Sequence, residues 1–538
     1  MQVRIWGGGI YQTEDFYERA DEMGMMVWEE VMLACALYPR DDAFLANVFA
    51  EVEDQLWRLS THASIVVLGG NNENEVALGW FSESNNNRDL YVSDYSKLYG
   101  DTVYKAIGAV EGHAERVWVD SSPSNGLISE SPYDKLWERA STELAGDVHF
   151  YDYNNDCEDY TIFPEAKFIS EFGYQAHASY LAYEPVTQAD DRHKDSDFMQ
   201  YRQRHENGNE QIEAMISRHF SLPVNCGSEA DEAKQMGSYD QYLYLNGIQQ
   251  GRCYETALNR WRQLRSSPSA MTMGVLYWQL NDIWEGPSWS SMEWGGRWKP
   301  LMYSVKRSYA PVVFTPSGKP QGDTFEVWSV NDVMQEISVS YSVYLVPWKA
   351  TTVLTKEQMI DSDSTLLTAG SSKAMKEYDI DAILKKSSLK PSERCSRTSC
   401  FVLIVGKYVE EGASSPYVAI PQSAFYLDTF NKAELAPGPS FSVQDVQQQN
   451  EHSISFTISA NLTSPFLFLE LNNNYESEST SETMGVNANA GWFSDNNFLA
   501  LANEVYHLTY TSVEAIDTKL FQQELQVRSL QSVVTTCD

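Results

Sequence analysis

Residues 64–75 constrain the fold of this chain more than any other stretch. Residues 64–68 are a short apolar, β-branched run, as in a buried parallel strand, and two glycines lead from it into a cluster of amides and carboxylates. In an α/β barrel the carboxyl ends of the parallel strands carry the active-site groups, so Glu73 lies where catalytic residues are usually found. The alternative is that residues 69–75 are an ordinary polar loop, since such loops often follow strands.

A second short strand ends in a carboxylate. Residues 167–174 place Glu171 among aromatic residues, where an isolated charge would be costly to bury. Two carboxylates at the ends of barrel strands are the minimum for glycoside hydrolysis: one protonates the leaving oxygen, and the other attacks the anomeric carbon or activates water. The predicted pair is Glu73 and Glu171.

Length and charge exclude several classes of function. The 538 residues are enough for two to four domains with large cores. A net charge of -36 argues against nucleic acid or an anionic membrane surface as a partner, because both attract clustered Lys and Arg. Glu29 and Glu30 interrupt the best apolar run, residues 23–37, so no membrane-spanning helix is expected. Nothing in the sequence predicts the oligomeric state.

Residues 1–308 alternate short strands with helical stretches, which is typical of βα units. Seven strands are expected, near residues 3–5, 25–28, 64–68, 116–119, 147–153, 167–170 and 274–280. Eight are needed to close a barrel, and the absent one would precede Met1. We therefore expect a (β/α)8 TIM-type barrel that lacks its first strand.

The pattern changes after the barrel region. Short alternating strands, separated by Pro, Gly and Ser, fill residues 309–431 and again residues 432–538, with a linker near residues 431–439. Both regions are predicted to be immunoglobulin-like β-sandwiches.

The cysteines predict local cross-links and no metal centre. Cys395 and Cys400 enclose four residues of a polar turn, so a disulfide is expected there, and Cys157 could pair with Cys253 or Cys226. Together with the sequon at Asn461, they mildly favour a secretory or lysosomal compartment. The sequence has no Cys-x-x-Cys, His-Glu-x-x-His, Gly-x-Ser-x-Gly or P-loop motif, so neither a metal nor an organic cofactor is predicted.

Four motifs together resemble the β-mannosidases of glycoside hydrolase family 2. They are RIWGGGIY at 4–11, GGNNENE at 69–75, SEFG at 170–173 and YWQLNDIW at 277–284. The resemblance implies a retaining exo-β-mannosidase without a cofactor that removes terminal non-reducing β-D-mannose from oligosaccharides by double displacement. Glu73 would be the general acid/base and Glu171 the nucleophile.

The resemblance also implies substrate contacts. Asn72 would hydrogen-bond the sugar 2-hydroxyl, Tyr153 would hold Glu171 in place, and Trp6 and Trp284 would form aromatic walls of the terminal sugar subsite. The alternative for Tyr153 and for each tryptophan is ordinary packing, since the chain has 15 tryptophans.

The sequence differs from this family at its N-terminal end. Family members carry a jelly-roll domain and an immunoglobulin-like domain before the barrel, and neither is found here. The second hypothesis is therefore a truncated, catalytically inactive fragment that at most binds carbohydrate. By resemblance the protein is lysosomal or secreted, although this chain contains no signal peptide.

Overall fold

A computed structural model describes most of the chain. The described residues are 2–111, 116–126, 135, 137, 139–225, 232–319, 321–386, 394–409, 417–472 and 491–537. They fall into two compact units. The first unit comprises Met1–Tyr151, Pro164–Phe172 and Ser267–Tyr277, and the second comprises Asp152–Phe163, Gly173–Ser266 and Trp278–Asp538.

The strands, in chain order, are β1 (Gln2–Ile5), β2 (Met26–Glu30), β3 (Ile65–Gly69), β4 (Val117–Val119), β5 (Val148–Phe150), β6 (Phe168–Phe172), β7 (Gly274–Val275), β8 (Val312–Ser317), β9 (Thr324–Asn331), β10 (Ile337–Pro347), β11 (Met359–Leu367), β12 (Ser371–Asp379), β13 (Cys400–Val409), β14 (Val418–Tyr426), β15 (Phe441–Asn450), β16 (Ser453–Ala460), β17 (Ser464–Leu471), β18 (Gly491–Phe493), β19 (Phe498–Ala500), β20 (Val505–Ser512) and β21 (Leu525–Arg528). The helices are α1 (Glu14–Met23), α2 (Asp42–Leu59), α3 (Asn74–Ala77), α4 (Ser82–Asn86), α5 (Arg88–Tyr95), α6 (Tyr104–Glu111), α7 (Tyr180–Tyr183), α8 (Asp197–Arg202), α9 (Gly208–His219), α10 (Glu232–Gln263), α11 (Pro300–Ser308), α12 (Ile380–Lys386) and α13 (Thr518–Glu524), and a π-helical segment, Ser96–Val103, joins α5 to α6.

All seven strands expected in residues 1–308 are present, and all lie in the first unit. They form two parallel sheets, one with the order β1-β2-β3-β4 and the other with the order β5-β6-β7. Among the described strands, no hydrogen-bonded pairing joins β4 to β5 or β7 to β1. A closed barrel is therefore not confirmed. The structure establishes two parallel sheets, and polar residues follow β3 and β4 at their carboxyl ends.

Local sequence signals explain the helices that cover the first sheet. The side chain of Asp41 accepts a hydrogen bond from the backbone of Phe44 and so caps the start of α2. One face of α2 is apolar at helical spacing, and its buried members are Leu45, Val48, Val52, Leu56 and Leu59. Helix α1 ends at Gly24, whose left-handed φ of 62° suits a residue without a Cβ. These side chains form one core with the sheet.

Strand β2 ends in two buried glutamates. Glu29 is 3% exposed, its Oε2 accepts a hydrogen bond of 2.8 Å from the hydroxyl of Tyr17, and its Oε1 has no hydrogen-bond partner in the structure. Burial raises the pKa of Glu29 to about 8, and the bond from Tyr17 offsets only part of that effect. The folded protein therefore takes up a proton at Glu29 that the unfolded chain releases at lower pH.

We expect Glu29→Gln to flatten the pH dependence of stability. Because the pKa of Glu29 is raised from 4.5 to about 8 by folding, its burial costs stability progressively as pH rises through that interval, by roughly 2–4 kcal/mol. Urea unfolding at pH 5 and pH 8 should show the variant more stable than the parent at pH 8 and similar at pH 5. Glu22→Gln, at an exposed position on α1, is the matched control. If the free energy of unfolding changed equally between pH 5 and pH 8 in the parent and in Glu29→Gln, the expectation would be contradicted.

The second unit holds two pairs of antiparallel sheets in the segments predicted to be sandwiches. The first pair has the orders β11-β10-β13-β14 and β12-β9-β8, and the second has β15-β16-β20-β18 and β19-β17-β21. Each pair encloses its own core of strand residues, which includes Phe314, Phe325 and Val343 in the first pair and Phe456 and Leu467 in the second. Phe521 of α13 joins the second core.

Two predicted disulfides are present, both in the second unit. Cys395 pairs with Cys400, and Cys157 pairs with Cys253 rather than with Cys226, which lies outside the described residues. Across the described part of the chain, no helix combines the length and the apolar character needed to cross a membrane.

Candidate active site

The segment that carries Glu73 continues from β3 and forms backbone hydrogen bonds with a neighbouring segment on each side. On one side the backbone N–H of Asn72 donates to Leu33 O and that of Cys35 donates to Asn72 O, both at 2.9 Å. On the other side the N–H of Glu73 donates to Ser122 O at 2.8 Å. The loop expected after β3 is therefore held by backbone hydrogen bonds, which position the side chains that follow the strand.

Glu73 itself has a left-handed backbone, with φ of 61° and ψ of 7°. A residue with a Cβ rarely adopts this conformation, and it is a form of strain often found at functional sites. The side chain is partly exposed. Its Oε1 lies 2.7 Å from Nδ1 of His149, and its Oε2 lies 3.6 Å from Sγ of Cys35.

Glu171, near the end of β6, is buried and surrounded by hydrogen-bond donors. Nη1 of Arg4 donates to Oε1 at 2.5 Å, the hydroxyl of Tyr151 donates to Oε2 at 2.8 Å, and Nδ1 of His149 lies 3.3 Å from Oε2. Burial alone would raise the pKa of Glu171, but the charges of His149 and Arg4 and these hydrogen bonds outweigh it and lower the pKa. Glu171 is therefore held as a carboxylate.

Arg4 joins three side chains of the site. Besides Glu171, it donates from Nε and Nη2 to both oxygens of Glu30, at 2.8 and 3.0 Å, and from Nη2 to Oδ1 of Asn72 at 2.6 Å. Burial lowers the pKa of Arg4, but the charges of Glu30 and Glu171 outweigh it and raise the pKa. Burial raises the pKa of Glu30 to about 7 even with Arg4 beside it. Arg4 belongs to one of the family motifs and Glu30 interrupts an apolar run, but no local pattern in the sequence links either residue to the site.

His149 lies between the two glutamates. The hydroxyl of Ser122 donates its single proton to Asp147 Oδ2 at 2.8 Å. In the 3.0 Å hydrogen bond between Ser122 and His149, the N–H at Nε2 of the imidazole is therefore the donor and the hydroxyl oxygen accepts. Nδ1 then either accepts a proton from Glu73 or carries one as imidazolium. Burial lowers the pKa of His149, but the charge of Glu171 and the hydrogen bond with Glu73 outweigh it and raise the pKa. Glu73 and His149 together form a proton-sharing pair.

The same three groups are the described residues that could hold a metal ion. One ligand atom from each of Glu73, His149 and Glu171 lies within 4.8 Å of the others. Hydrogen bonding already accounts for these distances, and the guanidinium of Arg4 on Glu171 would repel a cation placed between them. The arrangement suits a shared proton better than a metal.

The tyrosine that donates to Glu171 is Tyr151, two residues before the one that the sequence selected. The hydroxyl of Tyr153 instead accepts a hydrogen bond of 2.8 Å from Nε1 of Trp289. Tyr151, the first tyrosine after β5, thus holds Glu171 in place, and a role of Tyr153 beside it stays a prediction. A contact of Tyr153 with substrate stays a prediction.

Of the other predicted contact residues, Trp6 and Trp284 are partly buried and Asn72 is buried. Trp6 follows β1 in the first unit, and its ring lies over the backbone of Gly8. Trp284 is in the second unit, where the guanidinium of Arg202 lies 4.6 Å from the centre of its ring. Asn72 is buried, with Oδ1 bonded to Arg4 and Nδ2 donating to Sγ of Cys35 at 3.2 Å. Their sugar contacts stay predictions.

Sequence comparisons find related proteins across most of the chain. β-Mannosidase of goat (Capra hircus) is 33% identical over 509 residues, which cover 92% of this chain and 52% of that protein. β-Mannosidase of rat (Rattus norvegicus) is 32% identical over 540 residues, which cover 98% of this chain and 56% of that protein. A model of the mannosidase Ig-fold domain matches residues 439–533. The chain thus spans about half the length of these relatives.

Solved structures agree on the fold. The crystal structure of β-D-mannosidase from Dictyoglomus thermophilum has a TM-score of 0.72 at 23% identity and covers 98% of this chain and 56% of its own. The exo-chitosanase of Amycolatopsis orientalis has a TM-score of 0.62 at 12% identity, with coverage of 98% and 59%.

The chain is therefore related to the glycosidases, the class that a carboxylate pair at the ends of parallel strands also predicts. Its sequence is similar to those of the β-mannosidases over most of its length, as its motifs predict.

Proposed function

We propose that this chain carries the catalytic centre of a retaining exo-β-mannosidase, which hydrolyses terminal non-reducing β-D-mannose from oligosaccharides by double displacement. The observation that supports this most directly is the pairing of Glu73 and Glu171 around His149. One oxygen of each glutamate lies within 4.8 Å of the other. Retaining enzymes hold their two carboxyl groups about 5 Å apart, whereas inverting enzymes separate them by about 6.5–9.5 Å to admit a water molecule.

The environments of the two glutamates support different roles. Glu171, kept ionised by Arg4, Tyr151 and His149, attacks the anomeric carbon and forms a mannosyl-enzyme as the glycosidic bond breaks. The leaving oxygen takes the proton held by Glu73 and His149. Water then enters, gives a proton to that pair and attacks the same carbon as its ester bond to Glu171 breaks. Glu171 is released as a carboxylate, and mannose leaves with its β configuration restored.

The wider architecture belongs to the same proposal. The two parallel sheets are parts of one (β/α)8 barrel spanning residues 1–308, and residues 309–431 and 432–538 are separate immunoglobulin-like domains. Seven parallel strands in one unit support the barrel. The disulfides Cys157–Cys253 and Cys395–Cys400 support an oxidising compartment, so the protein is lysosomal or secreted.

Hydrolysis of an aryl β-mannoside by the 538-residue chain is the direct test. The first-formed sugar, followed by NMR, should be β-mannose, and an aryl β-glucoside should be a poorer substrate. Appearance of α-mannose first would rule out double displacement. If the chain shows a cooperative unfolding transition but no turnover, the result would instead favour an inactive fragment that only binds carbohydrate. That alternative is kept because the chain spans only about half the length of its relatives.

We expect Glu73→Gln to slow the hydrolysis of substrates with poor leaving groups far more than that of substrates with activated leaving groups. General acid catalysis contributes about 10²–10⁴-fold, and an activated aryl leaving group needs little of it. Turnover of an alkyl β-mannoside should fall by that factor. Formation of the mannosyl-enzyme from a dinitrophenyl β-mannoside, measured by release of dinitrophenol, should be less affected. Azide should restore turnover and give β-mannosyl azide.

The exposed Glu83→Gln on α4 is the matched control for Glu73→Gln and should keep parental rates. An equal loss with all leaving groups, without azide rescue, would remove Glu73 from the acid/base role.

A further inference from the structure

The thiol of Cys35 lies against the carboxyl group that is proposed to move the catalytic proton. Its Sγ is 3.6 Å from Oε2 of Glu73 and accepts a hydrogen bond of 3.2 Å from Nδ2 of Asn72. Oε1 of the same carboxyl group contacts His149. Glu73 is therefore held at one oxygen by an imidazole and at the other by a thiol.

The backbone fixes the thiol in this place. Cys35 donates its N–H to Asn72 O, and its own φ of 50° is left-handed, a conformation that a non-glycine residue rarely adopts. The backbone N–H of Ala36 donates to Oδ1 of Asn74 at 3.0 Å, which ties the residue after Cys35 to the residue after Glu73. These hydrogen bonds tie the segment after β2 to the segment after β3.

The thiol is a donor rather than an ion. Cys35 is an exposed residue, but desolvation of its thiol and the negative charge of Glu73 raise its pKa to about 12, so the thiol keeps its proton at working pH. Since its lone pairs face Nδ2 of Asn72, the S–H is available to Oε2 of Glu73. Among the described cysteines, Cys35 is the free one.

We propose that Cys35 is a positioning residue: its S–H donates to Oε2 of Glu73 and, with Asn72 behind it, holds the acid/base carboxyl in the orientation that keeps Oε1 on His149. This inference rests on the proposed function, because it assigns Cys35 a task in the proton transfer of Glu73. Of the other charged groups of the site, Arg4 donates to Glu171 and to Oδ1 of Asn72, the amide that donates to Cys35. The negative charge of Glu171 acts in the same direction as that of Glu73 and raises the pKa of Cys35.

A vibrational measurement tests the contact without any turnover. The S–H stretching band of Cys35, identified by subtracting the spectrum of Cys35→Ser, should lie at the lower frequency of a hydrogen-bonded thiol. It should shift when Glu73 is replaced by glutamine, which weakens the acceptor. A band at the frequency of a free thiol, unchanged in Glu73→Gln, would overturn the proposal whether or not the chain hydrolyses mannosides.

A kinetic measurement tests the consequence. Removing a donor from a carboxylate favours its protonated form, so in Cys35→Ala the basic limb of the pH profile of kcat/KM should move up by about 0.5–1 pH unit. Cys35→Ser, which restores a donor, should return the limb towards that of the parent, and KM should change little in both. A loss of kcat at all pH values alike, with an unshifted limb, would reduce Cys35 to a structural role. Absence of turnover in the parent would refute the proposed function but leave the spectroscopic test valid.

Discussion

Glu171→Gln should abolish hydrolysis of β-mannosides, with a loss of roughly 10⁴-fold or more, because the amide cannot form the glycosyl ester on which double displacement depends. The substitution changes shape little, and Tyr151 can still donate to the amide oxygen. It does remove the negative charge that faces Arg4 and His149. The loss should therefore appear in kcat for alkyl and activated aryl substrates alike, which distinguishes it from the loss in Glu73→Gln.

Covalent trapping provides the measurement for Glu171. A 2-deoxy-2-fluoro mannosyl donor with an activated leaving group slows the second step, so the parent should accumulate an ester that mass spectrometry locates in the peptide containing Glu171. Glu171→Gln should show no adduct, and Glu73→Gln should still form one. An adduct on any other residue would assign the nucleophile elsewhere.

Arg4→Met should be the most destabilising single change in the site. The substitution keeps a long side chain but leaves Glu30 and Glu171 buried without their shared counter-charge. Removing one partner of a buried ion pair typically costs about 3–5 kcal/mol. Because a carboxylate without a counter-charge can protonate instead, the cost should be larger at pH 8 than at pH 5, and turnover should fall with it.

The free energy of unfolding in urea at pH 5 and pH 8, together with the rate of β-mannoside hydrolysis, would measure the effect of Arg4→Met. Arg19→Met is the matched control, since Arg19 pairs with Glu22 on the exposed face of α1 and such surface pairs contribute little. Pairing Arg4→Met with Glu30→Gln should recover part of the lost stability, because one unpaired charge is removed. A destabilisation independent of pH, or equal to that of Arg19→Met, would show that Arg4 does not neutralise this pair.

The sequence predicted the strands that carry the site because their signal is local. Apolar runs such as residues 64–68 indicate a buried strand without knowledge of its neighbours. The carboxylates after β3 and in β6 were found for the same reason, since a charge next to an apolar run requires an explanation. Closure of the barrel could not be predicted in this way, because it depends on pairing between strands that are far apart in the chain.

The supporting residues of the site were missed because their partners are distant. Arg4 and Glu171 are 167 positions apart, and His149 and Glu73 are 76 apart, so no spacing in the sequence links them. The contact of Tyr151 with Glu171 was missed for a simpler reason. Residues two apart in an extended segment point the same way, so the pattern could not decide between them until the end of β5 was known.

The left-handed backbone of Glu73 implies a conflict between the requirements of folding and those of chemistry. At φ of 61° a glycine would relieve the strain, and asparagine would tolerate it better than glutamate does. A search for more stable versions of this chain would therefore tend to select against the carboxylate itself at this position. Any stabilised descendant should be screened for the residue at position 73 before its loss of activity is attributed to rigidity.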